Sequence, residues 1–140
     1  MDTHELAEDL RLAVRRLMAR LRQESAGDEL TASQRAVIAR LEAQGPSTIA
    51  ALARAEAVRP QSMGATVAAI ETQGMVRRNP DPRDGRRAVI SLTDAGRRTL
   101  AENRARRQEW LESTMASRLS PDELGTIRDA VAVLNRLVDP

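Results

Sequence analysis

A change of hydrophobic period at Gly74 narrows the folds open to this chain more than any other feature. Before it, Met63, Val67 and Ile70 fall at i, i+4 and i+7, one face of an α-helix. After it, Ala88, Ile90 and Leu92 alternate with Arg87, Val89 and Ser91, the period of a strand. Met75-Val76-Arg77-Arg78 supplies a first strand, and the polar, turn-rich residues 79–86 join the two. Upstream, Ser47 or Thr48 caps a short helix carrying Ile49, Leu52 and Ala53. The turn Glu56-Ala57-Val58-Arg59 follows, with Pro60 suited to the first position of the next helix and Gly74 to its end. Two short helices joined by a tight turn and followed by a hairpin are the parts of a winged helix-turn-helix. The sequence places it at residues 46–92.

Helices are expected on both sides. Leu6, Leu10, Val14, Leu17 and Leu21 form an amphipathic stripe over about residues 4–24, and Ser25-Ala26-Gly27-Asp28 breaks it. A second helix from Thr31 or Ser33 to Ala43 should bury Ala36, Val37 and Leu41 before Gly45-Pro46 stops it. Thr93-Asp94 opens a long arginine-rich helix to about Ser117, with Trp110, Leu111 and Met115. Ser120-Pro121-Asp122-Glu123 is a capping box with proline at its first helical position. The last helix carries Leu124, Ile127, Val131, Leu134 and Val138 at helical steps. The first and last helices each present a narrow apolar seam, which a two-fold intermolecular bundle would bury; the alternative is packing within one chain. The expected fold is mainly α with a small β-hairpin wing. An N-terminal dimerisation helix (residues 1–30) precedes the winged helix-turn-helix (residues 31–96, wing 76–92), and C-terminal dimerisation helices (residues 97–140) follow.

Charge is segregated along the chain. All 22 basic residues are arginine, so a formal charge of +2 coexists with a sequence pI of about 10.7. That pI means little, because almost no side chain titrates between roughly pH 8 and 12 here. The distribution is more informative: residues 45–107 are net +6 and the remainder net −4. A basic middle between acidic ends is the electrostatic footprint of a nucleic-acid-binding module. The 41% hydrophobic and 30% charged content suits a folded domain. The absence of cysteine rules out disulfides and thiolate metal sites. No apolar run approaches a membrane span, and the acidic start Met1-Asp2-Thr3-His4-Glu5 is not a secretory signal, so a cytoplasmic location is expected.

The functional residues follow from the inward ones. With Met63, Val67 and Ile70 inside, Gln61, Ser62, Ala65, Thr66 and Ala69 should face out as a small, polar surface. Gln61 suits adenine edges, and Ser62 and Thr66 suit bases or phosphates. Arg59 stands at the helix entrance, where backbone N–H groups and the helix dipole favour phosphate. The loop of residues 81–87 places Arg83, Arg86 and Arg87 around a turn expected at Gly85, in reach of a narrow minor groove. Asp81 and Asp84 are expected to brace these arginines by bidentate pairing. His4 lies near the chain start, and Trp110 is read as helix packing rather than an effector contact.

Beyond these patterns, the helices, Ser47-Thr48-Ile49-Ala50-Ala51-Leu52-Ala53, Gly74-Met75-Val76-Arg77-Arg78, Asp81-Pro82-Arg83-Asp84-Gly85-Arg86-Arg87 and Ile90-Ser91-Leu92-Thr93-Asp94-Ala95-Gly96 together resemble the MarR family of bacterial transcriptional regulators. The likeness spans nearly the whole chain. It implies a homodimer whose recognition helices enter successive major grooves of double-stranded DNA at a pseudo-palindromic operator. It also implies that Arg86 is the wing-tip arginine of the minor groove and that Gln61, Ser62 and Thr66 lie on the base-reading face. Relatives often release DNA when a small phenolic or anionic compound binds. This chain departs from the pattern in having Ala51 where an acidic residue is usual, and in its near lack of aromatics.

The expected function is therefore a sequence-specific repressor that needs no cofactor or metal, with a small lipophilic or anionic effector as an open option. The competing reading is a winged-helix module that binds a protein. The basic middle and the polar face of residues 61–69 argue against it, since protein-docking helices present apolar anchors. An enzyme is disfavoured: the chain has no cysteine, one histidine near its start, no glycine-rich phosphate loop and no carboxylate pair at metal spacing.

Overall fold

The computed structural model describes residues 2–25 and 29–139, so three residues of the expected break after the first helix (26–28) lie outside the described residues. The elements run α1 (Thr3–Gln23), α2 (Ala32–Gln44), β1 (Ser47–Thr48), α3 (Ile49–Ala55), α4 (Pro60–Thr72), β2 (Val76–Pro80), β3 (Ala88–Leu92), α5 (Asp94–Arg118) and α6 (Pro121–Val138). They divide into two compact units: residues 27–102, and residues 1–26 with 103–140.

The unit of residues 27–102 is built from locally specified pieces. Thr31 and Gln34 close a capping box on α2, at 3.2 and 3.1 Å. This helix buries Val37, Ile38 and Leu41. Ala36 is only half-buried, in contrast to expectation, and the larger Ile38 takes the inward place. Gly45 ends α2 at φ +84°, a left-handed conformation that favours glycine. Residues Ser47–Thr48 then pair with β3 in a three-stranded antiparallel sheet of order β1-β3-β2. Thr48 serves twice, opposite Val89 in the sheet and as the α3 cap, where its hydroxyl accepts the Ala51 N–H at 3.1 Å.

Helices α3 and α4 meet through a turn with Ala57 at φ +55°. Arg59 returns to extended backbone before Pro60 begins α4. On α4 the residues Met63, Val67 and Ile70 are buried, as their spacing predicts. Gly74 at φ +76° ends the helix in a Schellman arrangement, with Met75 N–H on the Ile70 carbonyl at 3.1 Å and Gly74 N–H on that of Glu71 at 2.9 Å. The core joins these residues to Leu52, Ala53, Met75, Val76, Ile90 and Leu92.

Thr93 and Gly96 fasten the start of α5 to the residues that end α4. The Thr93 N–H donates to the Met75 carbonyl at 3.0 Å, and the Thr93 hydroxyl donates to the Gly74 carbonyl at 2.6 Å. The same hydroxyl oxygen accepts the Gly96 N–H at 2.9 Å, capping α5. A Cβ on Gly96 would collide with the Met75 carbonyl, so only glycine allows this approach.

The other unit consists of α1, the rest of α5 and α6. The Ser120–Glu123 capping box forms as read, at 3.0 and 3.2 Å. Neither α1 nor α6 has a fully buried residue. Leu6, Val14 and Leu17 on α1, and Ile127, Val131 and Val138 on α6, remain exposed. The Arg20 guanidinium lies 4.4 Å from the centre of the Trp110 ring while pairing with Glu24 at 2.6 Å. Trp110 is therefore half-buried in a contact between α1 and α5.

Candidate nucleic-acid interface

Folding brings three groups of polar residues to the surface of the unit of residues 27–102. The first is the entrance of α4. Arg59 occupies the N-cap position, is exposed, and its side chain makes no capping hydrogen bond. Pro60 has no N–H, and the Met63 N–H returns to the Arg59 carbonyl at 3.0 Å. The N–H groups of Gln61 and Ser62 are left at the positive end of the helix dipole, which Arg59 precedes in the chain.

The second group is the outer face of α4. Gln61, Ser62, Ala65 and Ala68 are exposed. Ala69, expected outside, is half-buried, and Ala68 is exposed in its place. Thr66 is also half-buried, with its hydroxyl donating to the Ser62 carbonyl at 3.1 Å. That bond leaves the Thr66 oxygen free to accept but commits its proton to the helix. Ser62 and Thr66 line a small crevice with Ser33, Glu56, Val58 and Met63.

The third group is the wing. The Asp81 N–H closes the hairpin on the Arg87 carbonyl at 2.9 Å, and the Arg87 N–H returns to the Asp84 carbonyl at 3.0 Å. The aspartates act differently from the expected bidentate bracing. Asp81 accepts the backbone N–H of Arg83 at 2.9 Å, and Asp84 that of Arg86 at 3.1 Å. These are Asx turns, which fix the loop backbone rather than the guanidinium groups. Asp84 also spreads its carboxylate between Arg86 at 3.4 Å and Arg87 at 3.5 Å, one oxygen to each. Gly85 is not among the glycines with positive φ, so the aspartates, not glycine freedom, shape the turn. The Arg86 side chain is 95% exposed. Ion pairs this long and open contribute little, and they leave the arginines available to a stronger anion.

Two ion pairs near this surface were not legible in the sequence. Arg40 on α2 reaches Glu56, in the helix-turn-helix turn, with Nε at 2.9 Å and a terminal nitrogen at 2.8 Å. Arg78 on β2 holds Glu71 at the end of α4 at 3.1 Å. The first pair is 16 residues apart in sequence and the second 7, and neither spacing marks a contact within one helix.

Known proteins resemble this chain in sequence and in fold. A family model described as the MarR family matches residues 30–88. The HTH-type transcriptional regulator Mb0904 of Mycobacterium bovis is 37% identical over 134 residues, which cover 96% of this chain and 93% of the relative. The chain belongs to the MarR family. It is thus a DNA-binding transcription regulator, of a family whose members are regulators rather than enzymes. The HTH-type transcriptional repressor NicR of Pseudomonas putida is 31% identical over 94 residues, 67% of this chain and 60% of NicR. Among solved structures, a transcriptional regulator protein of Pseudomonas aeruginosa superposes with a TM-score of 0.83 at 35% identity, covering 97% of this chain and 95% of the other. A mutant MarR from E. coli has the same fold, with a TM-score of 0.70 at 18% identity over 99% and 98% of the two chains. The described residues of this MarR-family protein form six helices and a small three-stranded antiparallel sheet, the winged-helix arrangement read from the change of period at Gly74.

Proposed function

We propose that this MarR-family protein is a sequence-specific repressor that binds a pseudo-palindromic operator as a homodimer. The observation that carries the reading is the pairing of a small, polar outer face on α4 with a wing whose tip arginine is 95% exposed. In this reading Gln61, Ser62 and Thr66 meet base edges in the major groove, with Thr66 as an acceptor because its proton is committed to Ser62. Arg59 and the first N–H groups of α4 hold a phosphate. Arg83, Arg86 and Arg87 approach the minor groove, with Arg86 foremost. The alternative of a protein-docking module finds no large apolar side chain at the exposed α4 positions Gln61, Ser62, Ala65 and Ala68.

Dimerisation is assigned to the flanking helices, residues 1–30 and 97–140, because α1 and α6 leave apolar seams uncovered. A two-fold dimer sets its reading heads about one helical turn of DNA apart, roughly 34–36 Å. No helix among the described residues is long and apolar enough to cross a membrane, which fits action in the cytoplasm. An effector is part of the proposal: Met18, Leu21 and Leu111 line a crevice between α1 and α5 together with Arg22, Arg104 and Arg107. Its aliphatic walls and cationic rim suit a small lipophilic acid.

A mobility-shift titration on the DNA upstream of the protein's own gene, with unrelated duplex as competitor, tests the reading. The expected result is a salt-dependent complex that survives the competitor. A complex lost to competitor in proportion to its mass would overturn sequence-specific repression, and no complex even at low salt would favour protein docking.

A further inference from the structure

Glu56 places a carboxylate at the edge of the surface assigned to DNA. It lies in the turn between α3 and α4 and lines the same crevice as Ser62 and Thr66. An unpaired negative charge there would oppose the phosphates that Arg59 and the α4 entrance attract. Its partner comes from a third element, α2: Arg40 points two nitrogens, at 2.8 and 2.9 Å, at one Glu56 oxygen. Both side chains are partly covered, 31% and 26% exposed, so the pair is screened less than the open pairs of the wing.

We propose that Arg40 is a positioning residue for DNA reading, which holds the Glu56 carboxylate and neutralises its charge at the edge of that surface. The inference rests on the DNA-binding reading above and assigns a role to a residue that need not touch DNA. Its electrostatics are asymmetric. Arg40→Gln exposes a carboxylate to the DNA, whereas Glu56→Gln exposes a guanidinium. Both break the same structural contact, so a merely structural pair would make the two variants behave alike. A charge-cancelling role separates them.

The test measures affinity for one operator duplex over a series of salt concentrations, with thermal unfolding of each variant alongside. Arg40→Gln should weaken binding on the order of tenfold at low salt, with a smaller deficit at high salt as the repulsion is screened. Glu56→Gln should bind at least as tightly as the natural protein. The double variant, Arg40→Gln with Glu56→Gln, should recover most of the loss even if its unfolding temperature stays low. Equal losses in the two single variants, or a double variant as weak as Arg40→Gln, would overturn the inference. If the natural protein itself fails to select its operator, the repressor reading fails instead, and the mobility shift above reports that separately.

Discussion

The hydroxyl of Thr93 donates to the carbonyl of Gly74 at 2.6 Å, joining residues 19 apart where α4 ends and the wing begins. Because the same oxygen caps α5 at Gly96, one side chain fixes the end of α4, the return of β3 and the start of α5. The wing's direction relative to α4 is thereby set in part by a threonine and a glycine that carry no charge and need never touch DNA.

Gly96 should be intolerant of even one methyl group. A Cβ there meets the Met75 backbone, which cannot swing aside as a side chain would. Gly96→Ala is expected to cost about 2 kcal/mol or more by urea denaturation, the range for overpacking a tight site. Gly125→Ala, in α6 with open space at its Cβ, should instead stabilise by about 0.5–1 kcal/mol through helix propensity. Similar values for the two would deny that the Gly96 contact is tight.

The helix-turn-helix turn stores strain at Ala57, which holds φ +55° without being glycine. Ala57→Gly should stabilise by about 0.5–1 kcal/mol, since relief of the left-handed penalty exceeds the added chain entropy. Gly74→Ala, at φ +76°, should destabilise by about 1 kcal/mol for the converse reason. Thermal unfolding of both variants checks the pair of opposite signs.

The uncovered seam of α6 predicts the assembly. Val131 is 50% exposed in the single chain. Val131→Asp should convert a two-chain species to one chain in sedimentation equilibrium, because a dimer would bury that carboxylate unpaired. Operator affinity should fall with it, as each half-site then binds alone. An unchanged mass would locate the dimer contact elsewhere or remove it.

The crevice between α1 and α5 predicts a ligand class. Lipophilic carboxylic acids should raise the unfolding temperature, with Arg22→Ala and Arg107→Ala reducing the shift by removing cationic rim groups. An uncharged ester of the same acid should act weakly. Equal shifts from acid and ester would point to apolar filling without anion recognition.

Much of this architecture was legible in the sequence where the physics is local. The spacing of Met63, Val67 and Ile70 identified the buried face of α4, and the capping box at Ser120 marked the start of α6. Misreadings came where tertiary context decides. Residues Ser47–Thr48 form a strand too short to show any period, so Thr48 read only as a cap. Ala36 and Ile38 exchanged places because helical periodicity fixes a face only to within a residue or so. In the wing, composition announced that aspartate and arginine belong together, yet it did not say that Asp81 and Asp84 would serve backbone N–H groups first. The Arg40–Glu56 pair had no local signal, since two helices and a turn must pack before its partners meet.

Hydroxyl-radical footprinting of the upstream DNA, comparing the natural protein with Arg86→Ala, tests the central account most directly. The natural protein should protect two half-sites about one helical turn apart, roughly 10–10.5 base pairs, with flanking minor-groove protection from the wings. Arg86→Ala should lose the flanking protection and bind roughly ten-fold or more weakly, while its stability stays within about 0.5 kcal/mol because the side chain is so exposed. An identical footprint and affinity for the two proteins would remove the wing from DNA reading. No protection by the natural protein would contradict the account as a whole.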